Sequence, residues 1–151
     1  MNNEISVDKE LRYHLSTSDK HVKGNSIIIT FTLENLSNQD LWVLTWYTPL
    51  EGLKGEIFRI VCNGEEIPYE GRLVKRGIPT KDSYMYIGSR KSISTEVDLS
   101  NTYTFPTCNE CIVEFKGMIY DVQKSHEFLP KNEHKPIKII GNIVSFSIIN
   151  G

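Results

Sequence analysis

Residues 57–69 read IFRIVCNGEEIPY, in which two strand-like runs flank the dipeptide Asn63-Gly64. Asparagine followed by glycine supports the positive φ angles of a tight turn, so this stretch predicts a two-residue β-hairpin. Similar runs, rich in β-branched and aromatic residues and bounded by turn-forming residues, recur along the chain. They occupy residues 26–33, 41–46, 56–62, 92–99, 111–120 and 137–149. The sequence therefore predicts a protein built from short strands.

The last of these runs also shows the period of a half-buried strand. Val144, Phe146 and Ile148 would share one face, whereas Ile143 and Ser145 would share the other. No window of a dozen residues has the apolar spacing of an amphipathic helix between capping signals, so we expect little helix. Roughly eight or nine short strands predict an all-β fold, and specifically an immunoglobulin-like antiparallel β-sandwich. The Cys, Trp and Cys spacing of antibody-type domains is missing.

Length and charge limit the classes of function. A chain of 151 residues with 39% hydrophobic residues predicts a single domain over residues 1–151 with one core. The formal net charge is −2, so we expect no nucleic-acid partner, and no apolar run is long enough to span a membrane. The first residues, MNNEISVDKE, lack the features of a secretory signal, so a cytoplasmic location is expected unless the chain has been trimmed.

The chain has three cysteines, which are too few for a disulfide scaffold. Cys108 and Cys111 in CNEC have the spacing of half a zinc knuckle or of a redox CxxC motif. A second ligand pair is absent, and Cys62 would be only a third ligand. We therefore expect free thiols, no metal and no cofactor, with a local disulfide and a metal site as the alternatives.

Residues 126–130, HEFLP, begin like the zinc-binding motif HExxH, but Pro130 stands where the second histidine is needed. His134 follows across a proline-containing loop, so both histidines are expected to be solvated. No GxSxG motif and no phosphate-binding glycine loop is present. The sequence therefore predicts a protein that is not an enzyme, and it leaves the oligomeric state open.

A basic segment, RLVKRGIPTK at residues 72–81, contains a glycine and a proline and reads as a loop with a positive surface. Its cations are Arg72, Lys75, Arg76 and Lys81. Such a loop is either a solvated charged edge that discourages sheet aggregation or a contact surface for an acidic or peptide partner.

Five aromatic residues are the second set of candidates. They are expected to be core residues of the sandwich, with a carbohydrate-binding platform as the alternative; the set comprises Trp42, Trp46, Tyr47, Tyr84 and Tyr86.

Several stretches resemble the non-catalytic β-domain that precedes the protease in deuterolysin-like (aspzincin, M35) metallopeptidases. They are WYTPLEGLKG at 46–55, YEGRLVKRGIPTKDSY at 69–84, SISTEVDLSNTYTF at 92–105, IVEFKGMIYDV at 112–122 and GNIVSFSI at 141–148. The resemblance implies an immunoglobulin-like propeptide that holds a zinc protease inactive and assists its folding. Members of that family are secreted, and their catalytic HExxH motif does not occur in this chain.

The function expected from these observations is a non-enzymatic protein-binding domain that inhibits a zinc metallopeptidase. Trp46 and Tyr47 are the predicted aromatic anchors, because aromatic residues and arginine dominate interface energetics. Arg72, Lys75, Arg76 and Lys81 would steer the loop toward an acidic cleft. The alternatives are a folding-assistance module for a separate peptidase and a carbohydrate- or cell-surface-binding module that uses exposed aromatics.

Overall fold

A computed structural model describes residues 7–125 and 133–151, and over these ranges the protein is all-β. Three-residue 3₁₀ turns lie at Pro49–Glu51, Lys81–Ser83 and Leu99–Asn101. The strands are β1 (Val7–Ser16), β2 (Lys20–Val22), β3 (Ile28–Asn35), β4 (Leu41–Leu44), β5 (Phe58–Cys62), β6 (Glu65–Glu66), β7 (Tyr84–Ile87), β8 (Ser92–Asp98), β9 (Cys108–Phe115), β10 (Met118–Ile119), β11 (Val122–Gln123), β12 (Ile137–Ile140) and β13 (Val144–Ile149).

The strands form two five-stranded sheets and one three-stranded sheet. The first sheet has the order β10-β12-β1-β3-β8, and the second has the order β2-β13-β9-β5-β6. The small sheet, β11-β4-β7, carries the segment that follows β4. Most neighbours are antiparallel, but β1 pairs with β12 and β2 pairs with β13 in parallel, which corrects the expectation of a wholly antiparallel arrangement.

The two larger sheets bury their inner faces in one hydrophobic core. Phe115 of the second sheet lies near its centre, with its ring 5.1 Å from the ring of Tyr13 and 5.3 Å from that of Phe31, both on the first sheet. Both contacts are edge-to-face, an arrangement that aromatic quadrupoles favour. The alternation of inward and outward residues on β1 and β3 supplies the opposite wall of this core.

The hairpin predicted at Asn63-Gly64 is confirmed. β5 and β6 pair with Cys62 opposite Glu65, and the two turn residues have φ angles of 51° and 82°. The alternation predicted for the last run is also confirmed, since Phe146 and Ile148 are buried and Ile143 is exposed.

The strands outnumber the expected eight or nine because several runs break into shorter pieces. The run at 137–149 divides into β12 and β13, and the run at 111–120 divides into β9 and β10 beside Gly117, whose φ angle is 76°. Residues 126–132, which include the HEFLP segment, lie outside the described residues.

Cys62 and Cys111 form a disulfide between the adjacent strands β5 and β9, where the two residues are directly opposed. Of the pair Cys108 and Cys111, which were expected to be free thiols, only Cys108 is free, and it is buried; Cys111 is bonded to Cys62 instead of to its CxxC neighbour. Sequence spacing could not find this bond, because its partners are 49 residues apart and meet only when β5 pairs with β9.

The cross-link should stabilise the fold chiefly by restricting the unfolded chain. For a closed loop of this length, chain entropy predicts about 4 kcal/mol. We expect the double variant Cys62→Ala/Cys111→Ala to lose about that much free energy of unfolding in urea denaturation under non-reducing conditions. Cys108→Ala, which removes a buried sulfur without cutting a cross-link, is the matched control. A double variant no less stable than this control would contradict the prediction.

Candidate functional site

The most prominent surface feature is the segment that joins β6 to the 3₁₀ turn at Lys81–Ser83. We call residues 67–80 the basic loop; they contain no strand or helix. Leu73 is 80% exposed and Ile78 is 75% exposed, which makes them the most exposed large hydrophobic residues among those described. Residues 71–81 include no acidic residue. The loop therefore presents apolar side chains within a positively charged stretch.

Both ends of the basic loop are fixed to the body of the protein. At the first end, the Glu70 N–H donates a hydrogen bond of 2.8 Å to the Thr102 carbonyl. The Tyr69 ring lies 5.6 Å from the buried ring of Tyr103. At the second end, Pro79 is buried and the Thr80 N–H donates to the Ser83 hydroxyl at 3.1 Å.

The middle of the loop is held by Arg76. Its guanidinium donates to the Glu51 carboxylate at 2.5 Å, and both side chains are only 7% exposed. The guanidinium carbon also lies 5.1 Å from the Trp46 ring centre and 5.0 Å from that of Tyr47. Arginine combines an ion pair with ring contacts in this way because its charge is planar and weakly hydrated.

The stretch WYTPLEG folds into the compact turn that places Glu51 beneath the loop. Thr48 begins the 3₁₀ turn: its hydroxyl accepts a hydrogen bond from the Leu50 N–H at 3.1 Å and donates to the Thr45 carbonyl at 2.7 Å. Tyr47 takes a positive φ angle of 62°, and its N–H donates to the Glu51 carboxylate at 2.8 Å. The carboxylate thus receives hydrogen bonds from its own turn and from Arg76.

The residues predicted from sequence to contact a partner divide into two groups. Arg72, Lys75 and Lys81 are exposed on or beside the basic loop. The second group lies on the inner side of the loop, where the Arg76 side chain meets Trp46 and Tyr47. Trp46 is only 9% exposed. In this conformation Trp46 offers little surface to a partner, and these three side chains hold the loop in place.

Sequence reasoning missed three residues that matter here: Glu51, Leu73 and Ile78. A signal existed for the last two, because apolar residues stand among cations in a segment already predicted to be a loop. Glu51 carried no comparable signal, since its ion pair joins residues 25 positions apart.

The aromatic platform predicted as an alternative does not form as a continuous exposed surface. Trp46 and Tyr84 are buried together with Leu44 in a second, smaller hydrophobic cluster. Trp42 and Tyr86 do lie side by side, with their ring centres 5.2 Å apart, and Tyr86 is exposed. The burial of Trp46 counts against a carbohydrate-binding role for that residue.

A buried polar cluster lies next to these aromatics. The Tyr84 hydroxyl donates to the Asp121 carboxylate at 2.5 Å, and the Gln123 amide donates to the same carboxylate at 2.7 Å. The His134 ring nitrogen is 3.9 Å from it. The expectation that His134 is solvated is therefore wrong, because its side chain is buried beside Asp121. His126 and the HEFLP segment lie outside the described residues.

The candidate metal ligands are the three cysteines. Within residues 7–125 and 133–151, their sulfurs form the one group of three or more potential ligand atoms that lie close together, all within 4.8 Å. Two of these sulfurs are joined in the disulfide, and a structural zinc site takes four ligands. Their chemistry in this state is that of a disulfide beside a thiol.

Comparison with known proteins adds one relationship. Over 84 residues the chain is 25% identical to the protein named "Extracellular protease" of Aeromonas hydrophila. The chain is similar to part of a protease. The match covers 54% of this chain but only 24% of the Aeromonas protease, so the chain spans about a quarter of that protein's length. No protein-family model matches the chain.

The expectation of a cytoplasmic location gains no support from this match, since the Aeromonas protease is extracellular by name. No helix in the described part of the chain is long and apolar enough to cross a membrane.

Replacing Arg76 should lower the stability of the fold. Arg76→Ala leaves the Glu51 carboxylate buried without its cation, and we expect a loss of about 3 kcal/mol in the free energy of unfolding. Chemical denaturation followed by intrinsic fluorescence measures it, because Trp46 is adjacent. Lys75→Ala, one residue away and exposed, should change stability by less than about 0.5 kcal/mol. Equal stability of the two variants would contradict the proposed anchor.

Stability should also fall in alkali. Burial raises the pKa of Tyr84 and of Tyr103 above the ordinary tyrosine value, and the hydrogen bond to Asp121 adds to the effect at Tyr84. The unfolded chain releases these protons near pH 10 while the folded protein retains them, so the folded state loses relative stability above about pH 10. Urea denaturation between pH 8 and pH 11 should show this fall, and Tyr103→Phe should reduce its slope. If stability fell equally steeply with pH in Tyr103→Phe and in the wild type, the role given to Tyr103 would be contradicted.

Proposed function

We propose that this protein is a non-enzymatic protein-binding domain whose basic loop docks on an extracellular zinc endopeptidase and blocks its active-site cleft. One observation carries the proposal: the basic loop exposes Leu73 and Ile78 among cations while Arg76 fixes it from below. Large side chains left in water on an anchored loop are what a binding surface requires.

The anchoring favours binding because it lowers the cost of ordering the loop. A segment already held at its ends and at Arg76 loses less conformational freedom when a partner docks than a free segment would. Leu73 and Ile78 supply the apolar surface to be buried. In this proposal Trp46 and Tyr47 support the loop from beneath and are not themselves the anchors in the interface.

The charge of the loop favours an acidic partner surface. Arg72, Lys75 and Lys81 are exposed, and the stretch 71–81 contains no acidic residue between the exposed Glu70 and Asp82. Such a patch raises the association rate with an acidic cleft and makes that rate sensitive to salt. Arg76 adds little to this field because Glu51 neutralises it.

The comparisons and the sequence support a protease as the partner. The chain is similar to part of an extracellular protease, and its motifs resemble the propeptide-like β-domain of deuterolysin-like peptidases. An immunoglobulin-like sandwich is part of this proposal, with the two five-stranded sheets as its layers. A disulfide in the core is typical of an oxidising compartment, which supports an extracellular location.

The proposal is tested by titrating the domain against the Aeromonas protease and a deuterolysin-like zinc peptidase while following cleavage of a peptide substrate. We expect stoichiometric loss of activity. Leu73→Ser/Ile78→Ser should raise the inhibition constant at least tenfold, because removing apolar anchors costs about 1.4 kcal/mol or more of binding free energy. Arg72→Ala/Lys75→Ala/Lys81→Ala should slow association and weaken its salt dependence.

The matched control is Ile140→Ser/Ile143→Ser, which removes two exposed isoleucines away from the basic loop. Equal inhibition constants for the loop variant and this control would reject the docking role of the loop.

Folding assistance is separated from inhibition by the refolding yield of the peptidase with and without the domain. A higher yield without inhibition would favour the folding-assistance alternative.

A further inference from the structure

The buried cysteines form a centre in which a free thiol touches a disulfide. The Cys108 sulfur lies 2.6 Å from the Cys111 sulfur, which is itself bonded to Cys62. Cys108 is only 5% exposed, and the other two cysteines are at least as buried. Cys111 is therefore the central sulfur of the three.

A β-bulge is what brings Cys108 to this place. In a regular strand, residues three apart point to opposite faces, so Cys108 and Cys111 should not meet. In the structure Cys111 pairs with Phe146 and Cys108 pairs with Ile148, so β9 uses one more residue than β13 over this stretch. The extra residue turns both cysteines into the core, and the intervening Asn109 and Glu110 are both exposed.

We propose that the Cys108 thiol exchanges with the Cys62–Cys111 disulfide, so that the protein interconverts between a cross-strand bond and a CxxC bond. The deprotonated Cys108 sulfur attacks the Cys111 sulfur, and the bond between Cys108 and Cys111 forms as the bond between Cys111 and Cys62 breaks. The electron pair leaves on the Cys62 sulfur, which then takes up a proton. One disulfide and one thiol are present before and after, so no external oxidant or reductant is needed.

The surroundings of Cys108 affect the pKa of its thiol in two opposite directions. Backbone hydrogen bonds involving Ile148 and Glu110 stabilise its thiolate, but burial outweighs them and raises the pKa of the thiol. Below that pKa the thiolate fraction increases tenfold for each pH unit. The exchange should therefore be slow at neutral pH and accelerate in alkali.

The two disulfides constrain the chain differently. The Cys62–Cys111 bond closes a segment with a sequence separation of 49 that contains β6 and the whole basic loop. The Cys108–Cys111 bond would close a separation of only three residues and would release β5, the strand that leads into β6 and the basic loop. The exchange is a built-in way to loosen that region, and it does not depend on what the basic loop binds.

The wild-type chain provides the deciding experiment. The oxidised protein is incubated without reductant at pH 7, 8 and 9, quenched in acid, unfolded, and labelled with N-ethylmaleimide at mildly acidic pH before digestion and mass spectrometry. We expect the label on both Cys108 and Cys62, with the approach to a constant ratio about tenfold faster for each pH unit. Label on only one cysteine at every pH and time would overturn the proposal.

Variants identify the central sulfur independently. Oxidised glutathione should convert Cys62→Ser to a form with a Cys108–Cys111 disulfide, whereas Cys108→Ser should keep Cys62–Cys111 with no change on incubation. In Cys111→Ser, which lacks the central sulfur, we expect at least tenfold slower disulfide formation. Equally fast formation in Cys111→Ser and Cys62→Ser would also overturn the proposal, and near-ultraviolet circular dichroism checks that each variant is folded.

Discussion

A buried ion pair between a carboxylate and a guanidinium, the latter packed against two aromatic rings, positions the basic loop of this protein. Glu51 and Arg76 are far apart in sequence, but their ion pair fixes the middle of the basic loop to the turn that follows β4. A buried ion pair contributes little net stability, because desolvation offsets most of the attraction. Its effect here is positional, because moving Arg76 away would leave the buried Glu51 carboxylate without its cation.

That constraint extends in both directions along the chain. Because Arg76 is drawn inward, Leu73 and Ile78 on either side of it remain in water. On the other side of the pair, Trp46 and Tyr47 pack against the guanidinium, and Tyr47, whose N–H donates to the Glu51 carboxylate, has a positive φ angle. The ion pair thus lies between the residues that support the loop, Trp46 and Tyr47, and the exposed residues of the loop, Leu73 and Ile78.

The second constraint lies in the core, where β9 is bonded to β5 and bulged against β13. Bulges redirect side chains at a single point of a sheet, and this one places the Cys108 sulfur beside the buried Cys62–Cys111 bond. The disulfide and the hairpin at Asn63-Gly64 both fix β5, so the chain enters the basic loop from a rigid strand. The loop thus begins close to a cross-linked strand and is held in its middle by an ion pair, although it contains no regular secondary structure.

The sequence by itself determined the local structure. Alternation with a period of two, the Asn63-Gly64 turn and the lack of helical spacing predicted an all-β protein and the inward face of the last strand, because these depend on neighbouring residues alone. Strand β1 carries the same alternation at Leu11, Tyr13 and Leu15, so the same reasoning could have identified it.

Only the tertiary structure decided which distant residues meet. The Cys62–Cys111 bond, the Glu51–Arg76 pair and the burial of His134 beside Asp121 each join parts of the chain with no spacing rule between them. The parallel pairing of β1 with β12 is of the same kind. Composition marks such residues as polar or reactive, but their partners are set by how the sheets pair and pack, since that geometry alone brings their side chains within reach.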